Sequence, residues 1–434
     1  MRIAYITAGA AGMYCGSCMH DNTLAAALIA RGHDCLLIPT YTPIRTDEPD
    51  VSLGRVFFGG INVYLEQKSR WFRRMPRALD WLLSRPGLLR WVARFGIKTR
   101  PEELGAMTVS MLKGMDGYQR REVLKLVDWL CTEVRPEVVC LTNALLSGMV
   151  PELKRRLNVP VLVTLQGDDI YLDWLPPPYR EQSLALIRAN CASVDGYLTT
   201  SAYYADFMSG YLGLPRERLH IVYPGINLTG FDVDRGNGTA GRDGPRTVGY
   251  LARICPEKGL HVLVEAFDRL RQLPGVPPCR LHAAGYLSEH DRPYLNDLRK
   301  RIEQRGWSDR FAYAGEVDHA GKVAFLRGVD VFSVPTTYRE PKGLYLLEAW
   351  ACGVPVVQPR HGAFPELIEA TGGGLLVNPD DPDDLARGLR ELLADAERRR
   401  QLGARGRAAV VERFHADQMA LDTLDVFRRY VTTS

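Results

Sequence analysis

Tyr338-Arg339-Glu340-Pro341-Lys342-Gly343-Leu344-Tyr345-Leu346-Leu347-Glu348-Ala349-Trp350-Ala351-Cys352-Gly353-Val354-Pro355 is the stretch on which the fold turns. An apolar run, Val329 to Val334, precedes it and reads as a buried strand ending at Pro335. Glu340-Pro341-Lys342-Gly343 has loop chemistry, since Pro removes a backbone donor and Gly permits dihedrals other residues avoid. Leu344 to Cys352 is rich in helix formers and is stopped by Gly353 and Pro355. One carboxylate therefore sits in the loop before a helix, and a second sits on the helix just over a turn from its start. The unpaired N–H groups at that start suit an anion. Amides beside two carboxylates are what a phosphate carrying polyhydroxylated rings needs, while a buried strand–turn–helix with Glu348 on a solvated face is the plain alternative.

Working outward, strand-like apolar runs alternate with helical segments along all 434 residues, which predicts an α/β chain with parallel sheets. That length accommodates two domains. A hydrophobic fraction of 46% and a charged fraction of 24% are ordinary for a globular protein, and a net charge of +4 is too small to argue for nucleic acid. No run of about eighteen apolar residues occurs, so no membrane-spanning helix is expected. The first residues, Met1 to Thr7, read as a strand rather than a secretory leader. Nine cysteines without a leader suggest free thiols in a reducing cytoplasm.

Ile3 to Thr7, Cys35 to Ile38, Val138 to Leu141, Val161 to Leu165 and Tyr197 to Thr200 read as strands of a first domain, with a helix over Asn22 to Arg31. Between the first strand and that helix, Ala8 to Asp21 holds three glycines, a loop suited to close approach of a phosphate. The spacing is not GxGxxG and no acid ends the second strand, which disfavours a dinucleotide dehydrogenase; no GxxxxGK[ST] exists. Cys15-Gly16-Ser17-Cys18 at a helix start also fits a redox dithiol, and Cys15, Cys18 and His20 could contribute to a metal site, although no second cysteine or histidine pair completes one. The loop Gln166-Gly167-Asp168-Asp169 falls at the C-terminal end of a strand, where open α/β sheets place ligands. Residues 68–100 carry ten basic residues against one acid, with Trp71, Phe72, Trp81, Trp91 and Phe95 interleaved. They read as a lid of packed helices or as a surface for an anionic membrane. Thr229 to Thr247 is the best linker in the chain. Beyond it, Val248 to Leu260 restarts the alternation, with Arg253 and Lys258 flanking a turn where two cations could converge on a phosphate.

Taken in order, these motifs resemble the retaining GT-B glycosyltransferases of the glycosyltransferase family 4 type. Gly16, Leu24-Ala25 and Arg31-Gly32-His33 resemble that family's glycine loop and following helix, and Pro224-Gly225-Ile226-Asn227 its turn before the linker. Arg253 and Lys258-Gly259 match its Arg and Lys-Gly pair, Glu340 and Glu348 its carboxylate spacing, and Ala349 to Val357 the segment after them. The resemblance implies two Rossmann-like domains facing across a cleft. It sets the acceptor domain at residues 1–228 with an insertion at about 68–117, the nucleotide-sugar domain at 245–415, and a C-terminal helix, 416–434, crossing back to the first domain.

It further implies a metal-independent hexosyltransferase that takes UDP- or GDP-hexose with retention and needs no cofactor. Arg253 and Lys258 would hold the diphosphate, Glu348 the ribose, and Glu340 the transferred sugar. Gly16, Gly343 and Leu344 would approach the donor, with Lys342 and Glu366 beside it. A histidine common near the sugar is replaced here by Gln166, and His20 and Asp168 are candidates on the acceptor side. The acceptor is open among a small molecule, a glycan and a lipid, with a cytoplasmic or peripheral inner-membrane location. An epimerase or phosphorylase on the same fold, and a binding protein without catalysis, are the competing readings.

Overall fold

The computed structural model describes residues 1–9, 15–54, 56–58, 67, 101–231 and 244–431. The basic aromatic stretch 68–100, the loop residues 10–14 and most of the linker therefore lie outside the described residues. The chain divides into two compact units. One comprises Met1–Thr200, Tyr204–Val222 and the C-terminal stretch from Ala420; the other comprises Ser201–Tyr203 and Tyr223–Met419.

The first unit is built on β1 (Arg2–Thr7), β2 (Asp34–Pro39), β3 (Val138–Leu141), β4 (Val161–Leu165), β5 (Gly196–Thr199) and β6 (Leu219–Ile221). They pair in the order β2-β1-β3-β4-β5-β6, every pair parallel. Parallel strands covered by helices on both faces must be apolar throughout, and β3, β4 and β5 are buried at every residue. An isolated bridge from Leu37 to Ser52 adds a vestige of a further strand outside β2.

The second unit holds β7 (Arg246–Leu251), β8 (Cys279–Ala284), β9 (Phe311–Tyr313), β10 (Val331–Phe332), β11 (Val356–Pro359) and β12 (Gly374–Val377), ordered β12-β11-β10-β7-β8-β9 and again parallel. Counted within the unit this is the 3-2-1-4-5-6 arrangement of a Rossmann sheet, whose chain reverses direction between its first and fourth strands. Here that reversal lies between β7 and β10. Side-by-side strands whose connections leave in opposite directions open a crevice at their C-terminal ends, and the loops after β7 and β10 flank it.

Several boundaries differ from the sequence reading for physical reasons. The helix expected from Asn22 begins at Gly16 and runs to Ala30, because His20, Asp21, Asn22 and Thr23 are buried polar residues on it rather than loop residues. Of the apolar run Val329–Val334 only Val331–Phe332 pairs as a strand, although Val329 and Val334 are also fully buried. The boundary between units precedes the linker: Ile226 exchanges backbone bonds with Phe414 (3.1 Å) and Ala416 (2.9 Å), and Phe231 is buried in the second unit's core. The last helix spans Ala416–Val431. Among the described residues no helix is long and apolar enough to cross a membrane.

The crevice of the second unit depends on one close approach. Gly259 takes φ +72° to end the turn Pro256–Lys258 and open the helix Leu260–Leu270. A Cβ there would lie 1.8 Å from the Pro335 carbonyl oxygen, so only glycine lets the loop after β7 rest on the loop after β10. Thr337 N, donating to the Glu257 carbonyl at 3.0 Å, ties the same two loops. Gly259→Ala combines left-handed strain with overpacking and is expected to destabilise the second unit by about 2–4 kcal/mol in urea unfolding; an unchanged transition would contradict this account.

Candidate active site

Lys258 leaves the turn after β7 and reaches the loop after β10. Its Nζ donates to Glu340 Oε2 at 2.7 Å and to Tyr338 Oη. The same carboxylate oxygen accepts from Tyr338 Oη (2.6 Å) and from Tyr345 Oη (3.0 Å), while Oε1 faces Gly343 N at 3.4 Å. The ammonium also lies 5.0 Å from the centre of the Tyr338 ring and 5.1 Å from that of Tyr345, within cation–π range of both. Glu340 is 3% exposed. Burial alone would push its carboxyl up, but the Lys258 charge and hydrogen bond, then Tyr338 and the Lys342 charge, outweigh burial and hold it at about 2. Burial and the adjacent carboxylate push both tyrosine hydroxyls well above the usual phenol range, so they stay protonated as donors.

Around this pair the other candidates take distinct places. Arg253 lies on the same loop as Lys258 but is exposed, with Nε directed at Cys255 Sγ (3.2 Å) and its carbonyl accepting from Tyr250 Oη. Lys342 is buried between Glu340 and the helix Leu344–Ala351 in sequence and bears electrostatically on Glu340. Gly343 adopts φ +62° as that helix's cap, which lets Leu344 begin the helix immediately after the loop. Glu348, on the helix, is met not by solvent but by Lys322: Nζ to Oε1 is 2.6 Å with both side chains about nine-tenths buried. Lys322 comes from the helix His319–Arg327 and has no counterpart in the motifs read from sequence. Glu366 belongs to a different contact. Its carboxylate accepts from the amides of Ala202 (2.8 Å) and Tyr203 (3.0 Å) and from Tyr223 Oη, three donors that hold the start of the helix Phe364–Thr371.

In the first unit the candidates gather on a residue the sequence reading passed over. Asp21 is fully buried, and its Oδ2 accepts from Thr7 Oγ1 (2.7 Å) and Thr142 Oγ1 (2.5 Å). Its Oδ1 accepts from Tyr5 Oη (3.2 Å) and Gln166 Nε2 (3.0 Å) and stands 3.3 Å from His20 Nδ1. Gln166, 3% exposed, also directs Nε2 at the carbonyl and hydroxyl of Thr142. Its amide nitrogen is thus committed inside the unit, and Gln166 and His20 are brought together by a shared carboxylate oxygen. Asp168 accepts from the amides of Ala144 (2.6 Å) and Gln166 (3.1 Å); burial lifts its carboxyl to about 6 while those amides pull it back. It braces the backbone after β3 and β4. Gly16 is exposed at the first position of its helix, whose first backbone bond runs from Met19 N to Cys15 O at 3.0 Å.

The depressed carboxyl of Glu340 sets a direction for acid sensitivity. Because its folded value, about 2, lies below the ordinary 4.5, its contribution is complete above pH 4.5 and is lost as pH falls toward 2. Glu340→Gln is expected to show a shallower loss of urea stability over that window than the parent, and a loss near neutral pH of about 1–3 kcal/mol from the partly buried lysine left without its carboxylate. An unchanged pH slope would rule out the clamp as drawn.

Comparison with known proteins places this geometry. Residues 22–225 match the glycosyl transferase 4-like domain, and residues 237–409 match glycosyl transferases group 1. An uncharacterized glycosyltransferase of Methanocaldococcus jannaschii is 24% identical over 95% of this chain and 94% of its own length. A GDP-mannose-dependent alpha-(1-6)-phosphatidylinositol monomannoside mannosyltransferase of Mycobacterium tuberculosis is 28% identical over 62% of this chain and 69% of its own. The solved structure of sucrose-phosphate synthase from Thermosynechococcus elongatus superposes over 100% of both chains with a TM-score of 0.72 at 18% identity. With two six-stranded parallel sheets and both halves matched by glycosyltransferase models, the chain belongs to the GT-B glycosyltransferases of the family 4 type.

Proposed function

We propose that this glycosyltransferase moves a hexosyl group from a UDP- or GDP-hexose to an acceptor hydroxyl with retention of anomeric configuration and without a metal ion. The observation that carries the reading is the Lys258–Glu340 pair at the β7/β10 reversal, with Arg253 exposed on the same loop. A departing nucleoside diphosphate gains negative charge at its bridging oxygen, and preplaced cations stabilise that charge. Arg253 supplies a fork of donors to the outer phosphate oxygens, and Lys258 supplies a point charge that can turn from Glu340 toward the diphosphate. The bond from the sugar's anomeric carbon to phosphate breaks, the acceptor oxygen joins the same face, and the leaving phosphate takes the acceptor's proton. No side chain acts as a nucleophile in this scheme. The geometry agrees with that, since Glu340 already accepts three hydrogen bonds on one oxygen and stays ionised.

Glu340 then acts on the sugar through Oε1 and the adjacent Gly343 amide, while Glu348 accepts from the ribose. Gln166 serves as a buried brace for Asp21, and His20 stands on the same carboxylate oxygen. The mycobacterial relative's name specifies a GDP-mannose donor and a lipid acceptor. That supports testing guanosine donors beside uridine ones, and phosphoinositide acceptors beside soluble sugars.

The direct test is a screen of UDP- and GDP-hexoses for hydrolysis and transfer, run with excess EDTA. Turnover should persist in the chelator; loss restored only by a divalent cation would overturn the metal-free scheme. By calorimetry, Arg253→Ala and Lys258→Ala should each weaken nucleoside diphosphate binding by about tenfold or more, the worth of one charge-assisted hydrogen bond, and unchanged affinity would remove both from the site.

A further inference from the structure

Lys322 is the one residue of the Glu348 contact that none of the sequence motifs contains. Its ammonium and the Glu348 carboxylate meet at 2.6 Å, 26 residues apart in sequence and nearly closed to solvent. Lysine is almost never this buried unless paired. A buried ion pair is nevertheless a weak source of net stability, because desolvating both charges offsets most of their attraction. A Leu or Met in place of each would serve the core at least as well. The helix that carries Lys322 does not need the pair for its own start, since the Asp318 side chain caps it by accepting from Gly321 N at 2.8 Å. What the pair does supply is a carboxylate with one oxygen held in place by an ammonium.

We propose that Lys322 is a positioning residue for the donor's ribose: it fixes the Glu348 carboxylate so that it accepts from the vicinal 2′ and 3′ hydroxyls. A diol demands two acceptor directions from one group, and a carboxylate offers them only in its charged form and in one orientation. Glu348 sits just over one turn into its helix, so its side chain has several staggered conformers; a bond of 2.6 Å to a rigidly mounted ammonium selects one of them. The inference rests on the reading that Glu348 meets the ribose.

The test separates the two. Calorimetric titration would compare UDP and GDP with their 2′,3′-dideoxy analogues on the parent protein and on Lys322→Met, Lys322→Arg, Glu348→Gln and Lys322→Met/Glu348→Gln. The parent should prefer the hydroxyl-bearing nucleotide by about tenfold or more, as expected for hydrogen bonds to a charged acceptor. Lys322→Met should erase most of that preference by weakening the natural nucleotide while leaving the dideoxy analogue nearly unchanged, and Lys322→Arg should restore part of it. In a Glu348→Gln background, adding Lys322→Met should cost nothing further. Equal losses for both nucleotides, or an intact preference in Lys322→Met, would overturn the positioning role. Absence of any preference in the parent would instead overturn the ribose reading of Glu348. If Lys322→Met alone does not fold, the comparison of Glu348→Gln with the double variant, in which neither buried charge remains, decides the matter.

Discussion

A carboxylate taken out of water must either lose its charge or be surrounded by donors, and the second unit is arranged around that choice at Glu340. Three donors converge on one of its oxygens, from three different places in the chain. Tyr338 is supplied by the loop, Tyr345 by the helix after it, and Lys258 by the turn after β7. The last of these reaches only because Gly259 allows two loops to touch. Sheet order, glycine conformation and ion pair are therefore links in one dependence. The Rossmann reversal brings the loops side by side, the glycine lets them close, and the buried charge holds them there.

This dependence explains which features could be read in the chain and which could not. The strand–loop–helix at residues 329–355 was legible because an apolar run, Pro341 and Gly343 punctuate it locally. The helix Leu344–Ala351 lies where the sequence predicts, with Glu340 in the loop before it and Glu348 on it. Lys322 was not legible, because its partner is brought to it only by tertiary packing and no local pattern marks a lysine as buried. Tyr338 and Tyr345 were in plain view, but no local pattern gives them a role; their hydroxyls matter only once Glu340 is known to be enclosed. Asp21 was hidden for the opposite reason. A run of polar residues reads as loop or solvated face, yet His20, Asp21, Asn22 and Thr23 are all buried on one helix.

The same comparison changes the roles of individual residues. Gln166 and Glu366 were singled out as donor or sugar contacts, and each also makes bonds within its own unit, Gln166 Nε2 to Asp21 and Glu366 with two amides and a tyrosine. A motif position identifies where the backbone comes near a ligand; it does not say whether the side chain there remains available. That depends on neighbours far away in sequence, such as Thr142 for Gln166 and Tyr223 for Glu366.

The two buried pairs, Lys258–Glu340 and Lys322–Glu348, each sum to no net charge. A cluster of bare cations would attract every abundant polyanion in a cell, from inorganic phosphate to RNA, with little regard to shape. Pairing each lysine in advance quiets that long-range field, so that simple electrostatic attraction contributes little to retention. On the proposed function, Lys258 turns to the diphosphate while Lys322 keeps holding Glu348 and both carboxylates accept from hydroxyls, which an unadorned phosphate does not offer and a phosphate joined to two hydroxylated rings does. On that reading the enclosed ion pairs select against the wrong anions at the cost of weaker attraction for the right one.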